Sequence, residues 1–343
     1  MTPQFPVDAL LTWFRANARV LPWREHRTPY RVWLSEIMLQ QTRVEAVIPY
    51  FERFLAALPD IRALAEADEE LLLKLWEGLG YYSRVRNLQK AAKIIAAQYN
   101  GEFPSGFSGI RALPGIGDYT AGAIASIAFE QPVPAVDGNV LRVLSRFQES
   151  RLDVAKQKTK QMFTEQLRRI YPEGHCGDFT ESLMELGATV CLPNSEPLCA
   201  LCPLASACLA HRNGTWSELP VKAEKKPRRI EKRTVLLIHH DGRIALQRRP
   251  RRGLLAGMME FPNPEGWLSE SAVREYLEDR GASVAELRAG IEAKHIFSHI
   301  EWRMHSFSVL CSIAPEGFEW VTPAELRERI SLPSAFSAFS GSL

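Results

Sequence analysis

Two carboxylates sit in contrasting local settings. Glu36 lies in Trp33-Leu34-Ser35-Glu36-Ile37-Met38-Leu39-Gln40-Gln41-Thr42, with apolar neighbours on a helix-period segment. Such a glutamate either faces solvent or is desolvated, and desolvation raises its pKa and keeps it protonated. Solvent exposure is the plainer reading of that segment alone. Asp137 lies in Pro134-Ala135-Val136-Asp137-Gly138-Asn139-Val140, where a helix should begin. As a cap it would accept backbone N–H groups and be held ionised by the helix dipole. One carboxyl kept protonated can act as a general acid, and one kept ionised can stabilise an oxocarbenium-like cation. Together they point to cleavage of an N- or O-glycosidic bond.

A second group of residues suits a phosphate. In Leu113-Pro114-Gly115-Ile116-Gly117-Asp118 two glycines flank one apolar residue, directly before the small-residue segment Tyr119–Ala128. That pattern allows a tight turn at a helix N-terminus, with the N–H groups of Gly115, Gly117 and their neighbours expected to point outward. Contacts of this kind position nucleic acid without reading its sequence.

A third group suits a metal. Cys191, Cys199, Cys202 and Cys208 follow a C-x7-C-x2-C-x5-C spacing, in a loop stiffened by Pro193, Pro197 and Pro203. Four thiolates on one short loop can hold tetrahedral zinc or a 4Fe–4S cluster, and the spacing alone does not separate the two. Cys176 and Cys311 stand apart and read as core residues.

Helices must carry most of these groups. Within residues 1–212, helix-period segments recur at Val7–Asn17, Tyr30–Gln40, Val44–Ala57, Asp68–Glu77, Arg84–Tyr99, Asp118–Phe129, Val136–Phe147, Lys156–Ile170 and Asp178–Thr189. Residues 213–233 lose that periodicity and turn basic, as expected of a linker. From 234 onward strand signals appear. Thr234–His239 and Arg243–Gln247 flank Asp241-Gly242 as a hairpin, and His305–Cys311 alternates as a strand does. Ser271–Asp279 and Pro323–Ile330 read as helices. The expected architecture is therefore multidomain, with an all-α domain at 1–212, a linker at 213–233 and an α+β domain at 234–343.

With 343 residues, two domains are expected. A 46% hydrophobic and 24% charged composition excludes a largely disordered chain, and the balanced net charge of +2 neither demands nor forbids nucleic acid. The sequence has no apolar run of membrane-spanning length and no visible secretory signal, so the cytoplasm is the expected compartment and a monomer the expected state.

The order of these features resembles the helix–hairpin–helix DNA glycosylases that carry an iron–sulfur cluster, and specifically adenine DNA glycosylases of the MutY type. The resemblance covers nearly the whole chain. It rests on Leu21-Pro22-Trp23-Arg24, Ser35–Thr42, Gly78-Leu79-Gly80-Tyr81-Tyr82-Ser83-Arg84, the hairpin, Val136–Val140 and Gly187–Cys191. The second domain is similar to the MutT-like (Nudix) module of those enzymes through Gly253–Pro262 and Phe297-Ser298-His299.

The resemblance implies base-excision repair of double-stranded DNA. Adenine opposite 8-oxoguanine, and also opposite guanine, would be hydrolysed from its sugar after flipping out of the stack. It makes Glu36 the acid that protonates adenine N7 and Asp137 the group that stabilises the sugar cation. Tyr119 and Asn139 would line the same pocket, with Arg24 and Glu181 as neighbours. Gln40, Gln41, Thr42 and Tyr81 would meet the duplex near the lesion, beside the hairpin glycines Gly115 and Gly117. Phe297, Ser298 and His299 would read 8-oxoguanine. Cys191, Cys199, Cys202 and Cys208 would hold a 4Fe–4S cluster, with zinc as the alternative. The first cysteine spacing is seven residues where the family commonly has six.

The runner-up is a bifunctional glycosylase/lyase of the endonuclease III type. Its Schiff-base chemistry needs a lysine where this chain has Tyr119. A Nudix hydrolase is disfavoured because Gly266 stands where that family's box has a glutamate, although Arg274–Ala282 echoes the rest of the box.

Overall fold

The computed structural model describes residues 4–223 and 227–340. The chain divides into two compact units. The first comprises Met1–Glu66 with Asn87–Glu224, and the second Ala67–Arg86 with Lys225–Leu343. Residues 67–86 thus pack with the second unit, although sequence order places them inside the helical domain.

The helices in chain order are α1 Val7–Asn17, α2 Pro22–Glu25, α3 Pro29–Leu39, α4 Val44–Ala57, α5 Ile61–Glu66, α6 Glu69–Leu75, α7 Ser83–Gln98 and α8 Phe107–Arg111. They continue with α9 Asp118–Phe129, α10 Gly138–Phe147, α11 Gln157–Arg168, α12 Cys176–Thr189 and α13 Leu209–Asn213. All nine segments expected from periodicity form helices, mostly within a few residues of the expected ends.

Start signals account for the helices that matter here. Thr28 caps α3 by accepting from Arg31 N–H, with Pro29 in the first turn, where its missing N–H costs nothing. Asp137 caps α10. Helix α3 is buried continuously from Val32 to Met38, so Glu36 is buried with it. That stretch is enclosed by the core on all sides, and its polar residues Ser35 and Glu36 are enclosed with it. Between α10 and α12 the approach is tight: a Cβ on Gly187 would lie 2.5 Å from Asn139 Cβ. A core of Leu10, Val140, Leu144, Phe147, Phe163, Phe179 and Leu186 holds these helices together.

The second unit is built on a mixed sheet of β1 Arg229–His240, β2 Arg243–Arg248, β3 Met259–Glu260, β4 Ser283–Ile296, β5 Ile300–Ile313 and β6 Glu319–Val321. The order is β3-β2-β1-β5-β4, and β6 pairs with β2. Strands β1 and β2 form the expected antiparallel hairpin, and β1 runs parallel to β5. Both faces are covered. Trp302, Phe261 and Phe336 pack on one side. Phe307 and Val309 pack on the other, against Val273 and Leu277 of α14 Glu270–Glu278. Helices α15 Pro323–Glu328 and α16 Ser337–Ser340 close the chain.

The expected linker is corrected at its end. Strand β1 starts at Arg229 and pairs with Ile300 there, so the basic residues 229–233 belong to the sheet. The charges hid that strand, because their long side chains can stay solvated while the backbone pairs. Residues 224–226 of that linker lie outside the described residues.

Candidate active site

In the first unit a cleft of about 320 Å³ gathers one group from each of several helices. Its lining includes Glu36 of α3, Tyr119 of α9, Asp137 and Asn139 at the start of α10, Arg24 of α2 and Glu181 of α12. These are the two carboxylates and four neighbours singled out from sequence, now in one place. Gln40, Gln41 and Thr42 line it as well. Gln41 adopts a left-handed backbone (φ 60°) and is exposed. Gln40 Nε2 reaches Thr120 Oγ1 at 3.5 Å.

The two carboxyls differ in their hydrogen-bond partners. Glu36 is only 6% exposed. Burial pushes its pKa up to about 7, opposed by a hydrogen bond with Tyr119 and reinforced by the charge of Asp137. Its Oε2 has no hydrogen-bond partner among the described residues. The plainer expectation of a solvent-facing glutamate is therefore overturned, because α3 is buried on the side that carries Glu36. Tyr119 is itself raised well above the ordinary phenol value, first by burial and then by the charge of Glu36, so it stays protonated and can donate.

Asp137 Oδ1 accepts from Val140 N–H at 2.7 Å, and Oδ2 accepts from Asn139 Nδ2 at 2.9 Å. Burial raises its pKa, while these bonds and the nearby Arg142 lower it. Asp137 is the expected cap of α10, and burial is the largest influence on its pKa. Asn139 is oriented in turn by Arg142, whose Nη2 donates to Asn139 Oδ1 at 2.9 Å and to Gly187 O at 2.7 Å.

Arg24 is held rigidly. Its Nε donates to Glu181 Oε1 at 3.1 Å, Nη2 to Glu185 Oε2 at 2.9 Å and Nη1 to Arg19 O at 3.0 Å. Glu185, Arg19 and Met184 also line the cleft, and sequence reading missed them. The signal was present in part. Asp178, Glu181 and Glu185 fall at i, i+3 and i+7, which puts three carboxylates on one helix face.

The hairpin forms as expected between α8 and α9. Ile116 N–H donates to Leu113 O at 3.2 Å, so that group is used by the turn itself and does not join the outward-pointing set. Gly115 needs its positive φ of 78°, and a Cβ there would meet Asn87 Cβ at 2.7 Å. Gly117 precedes α9 as its cap, and both glycines are exposed.

In the second unit Tyr81, with a left-handed φ of 48°, places its hydroxyl 3.4 Å from Ser298 Oγ. Ser298 and His299 form the exposed tip of the β4–β5 hairpin, closed by Phe297 N–H to Ile300 O at 2.8 Å. Phe297 is tied back against Trp302, with ring centroids 5.0 Å apart, and is half-buried; it is less free to wedge than the sequence suggested. Glu260 of the Gly253–Pro262 marker is occupied by Arg249 and Gln247.

The four cysteines of 191–208 border one small cavity with Arg146, His211 and Trp216. The longer first spacing is absorbed locally, since Leu198 N–H returns to Val190 O at 2.9 Å. Burial pushes the Cys202 thiol up to about 12. The neighbouring thiolates add to the rise at Cys199, Cys202 and Cys208. Four thiolates held around one small cavity would crowd negative charge, and a bound cationic centre would relieve it. Arg146 Nη1 lies 3.3 Å from Cys191 Sγ, a further positive partner. The donor set fits a thiolate-held centre. Among the described residues, no three metal-ligating side chains converge closely enough for a single ion.

Comparison with known proteins agrees with this construction. Residues 34–173 match the family described as "HhH-GPD superfamily base excision DNA repair protein", and residues 233–340 match the NUDIX domain. The helical fold with its carboxylate-lined cleft defines the chain as a DNA glycosylase. The adenine DNA glycosylase of Buchnera aphidicola subsp. Schizaphis graminum is 34% identical over 89% of this chain and 87% of its own length. The human adenine DNA glycosylase is 33% identical over 92% of this chain and 70% of its own. The chain belongs to the adenine DNA glycosylase family. Among solved structures, a thermostable thymine-DNA glycosylase aligns with a TM-score of 0.55 and 27% identity, over 60% of this chain and 95% of that one. A non-covalent endonuclease III–DNA complex gives 0.52 and 25%, over 61% and 94%.

Proposed function

We propose that this enzyme hydrolyses the N-glycosidic bond of adenine mispaired with 8-oxoguanine, and of adenine opposite guanine, as a monofunctional glycosylase. The observation that carries the reading is the cleft that a buried Glu36 and a capped Asp137 line together. The flipped adenine enters, and Glu36 gives its proton to N7. The bonding pair of the C1′–N bond leaves with the base, and a positive sugar remains. Asp137, its two oxygens fixed by Val140 and Asn139, presents negative charge to that cation. Water adds to the sugar carbon and its proton returns to carboxylate. Among the described residues no lysine lines the cleft, and Tyr119 stands at the position that the resemblance matches to a Schiff-base lysine, which favours hydrolysis over lyase chemistry. The Tyr81–Ser298 pair and His299 are assigned to contact the 8-oxoguanine side of the pair.

The test is incubation with duplexes carrying 8-oxoG:A, G:A or thymine glycol, with and without alkali. Strand scission at adenine only after alkali is expected. Scission without alkali, or preference for thymine glycol, would restore the bifunctional alternative.

Cys191, Cys199, Cys202 and Cys208 are proposed to hold a 4Fe–4S cluster, which when bound cross-links the loop and neutralises its thiolates. Purified protein should be yellow-brown with broad visible absorption and bound iron, and Cys199→Ser should lose colour along with folding or DNA binding. Colourless protein loaded with zinc after anaerobic purification would reverse the assignment.

A further inference from the structure

The carboxylate stripe on α12 faces a stripe of arginines. Asp178 pairs with Arg15 and Arg27, Glu181 with Arg27 and Arg24, and Glu185 with Arg24 and Arg19. This is a ladder of four guanidiniums on three carboxylates, leaving one positive charge in excess. Its carboxylates become less exposed from Asp178 to Glu185, and Glu185 is 1% exposed. Glu185 accepts from Arg19 N–H at 3.1 Å, Arg19 Nε at 2.7 Å, Arg19 Nη2 at 2.9 Å and Arg24 Nη2 at 2.9 Å. That density of donors holds it ionised, at about 2, against the cost of burial.

We infer that Glu185 is a positioning residue for the acid step: it fixes the Arg24 guanidinium in the wall of the cleft that Glu36 lines and balances its charge, so that Arg24 stands in that wall without stripping the proton of Glu36. The inference rests on the reading of Glu36 as the acid. Four charged or titratable groups act on Glu36, namely Tyr119 from α9, Asp137 from the start of α10, Glu181 from α12 and Arg24 from α2. Tyr119 acts through its hydrogen bond, and Asp137, Glu181 and Arg24 act through their charge. Arg24 is the cation of the set, and it favours the ionised, inactive form of Glu36. Its charge must therefore be present but countered. Glu181 binds one edge of its guanidinium, and Glu185 binds the other and supplies the second counter-charge. Two carboxylates can hold one guanidinium in this way because its donors lie in a rigid planar fork.

The distinguishing signature is a shift in opposite directions. Single-turnover adenine release from an 8-oxoG:A duplex should fall as pH rises through the Glu36 pKa. In Glu185→Gln the Arg24 charge loses its counter-charge, Glu36 ionises more readily, and the falling limb should move about one unit toward acid. The same variant should lose up to about 100-fold in rate, through misplacement of the wall. In Arg24→Gln the limb should move toward alkali. Glu185→Asp, which keeps the charge, should return the limb most of the way to the parent position. Arg24→Gln leaves Glu185 paired with Arg19, and Glu185→Asp keeps a carboxylate, so both serve if Glu185→Gln does not fold. A merely structural role predicts lower rates at every pH with the limb unmoved, and that result overturns the inference. So does a shift of both Arg24→Gln and Glu185→Asp in one direction. Glu36→Gln is run in the same series. If the limb survives in that variant, the acid reading fails and this inference falls with it. If the limb disappears there but ignores Glu185 and Arg24, this inference alone fails.

Discussion

Glu36→Gln is expected to lower single-turnover adenine release by ~10²–10⁴-fold while leaving binding to an 8-oxoG:A duplex near the parent value. Glutamine preserves the shape of the side chain and can still accept from Tyr119. What it removes is the transferable proton on a group whose Oε2 faces no protein partner. The pH dependence sharpens the test. The parent should be most active below about 7, where Glu36 is protonated, and should lose rate as pH rises through that value. The residual rate of the variant should lack this limb. Stability should move the other way. The folded pKa of Glu36 lies above its unfolded value, so the carboxyl costs folding free energy increasingly as pH rises from about 4.5 to 7. The variant should therefore be more stable at pH 8 than the parent, by on the order of 3 kcal/mol, with little difference near pH 4. A variant with near-parental rates would remove Glu36 from the acid role.

The helices were legible because their apolar residues recur with helical period and their starts carry caps such as Thr28 and Asp137. Residues 67–86 were not assigned to their unit, because periodicity reports which face is apolar and not what lies against it. Strand β1 was shortened for a related reason: Arg229, Lys232 and Arg233 look like a solvated tether, whereas their backbone pairs with β5 residue by residue from Arg229 to His239. The short helices α2, α5, α8 and α13 hold too few residues to show a period.

At the site, residue types and spacing named Glu36, Asp137, the hairpin and the cysteines, and resemblance supplied Tyr119, Asn139, Arg24 and Glu181. Only the fold shows that Glu36 is buried. An isolated glutamate between Ser35 and Ile37 gives no sign of which side of α3 is covered. Arg142 and Glu185 escaped notice because each acts on another side chain, Asn139 and Arg24, that is close in space and distant or inconspicuous in sequence. Gly187 shows the same limit. Its lack of a side chain lets α12 approach Asn139, and a lone glycine in a helix carries no mark of that use.

Asp137→Asn should be as damaging as the loss of the acid, for a reason visible in the hydrogen bonds. Both oxygens of Asp137 are acceptors, one from Val140 N–H and one from Asn139 Nδ2. An amide has one oxygen and one NH2 group, so in either orientation it sets a donor against a donor. Asn139 cannot easily turn to repair this, because Arg142 holds its oxygen at 2.9 Å and Arg142 is itself anchored to Cys191 O at 2.8 Å and Gly187 O. The cheaper orientation keeps oxygen toward Val140, since asparagine is a good helix cap, and the NH2 group then faces Asn139. Helix α10 should therefore persist, with a stability loss of about 1–3 kcal/mol from the unmatched polar group. The larger effect is electrostatic. A neutral group replaces the carboxylate that would face the sugar cation, and removal of one preorganised stabilising group costs ~10²–10³-fold in rate. Single-turnover adenine release should fall by at least that much, while mispair binding remains close to the parent and the thermal midpoint drops only by the several degrees that this stability loss implies. Release within tenfold of the parent, in a variant that still binds the duplex, would show that the cation is stabilised by some other group and that Asp137 serves only as the cap of α10.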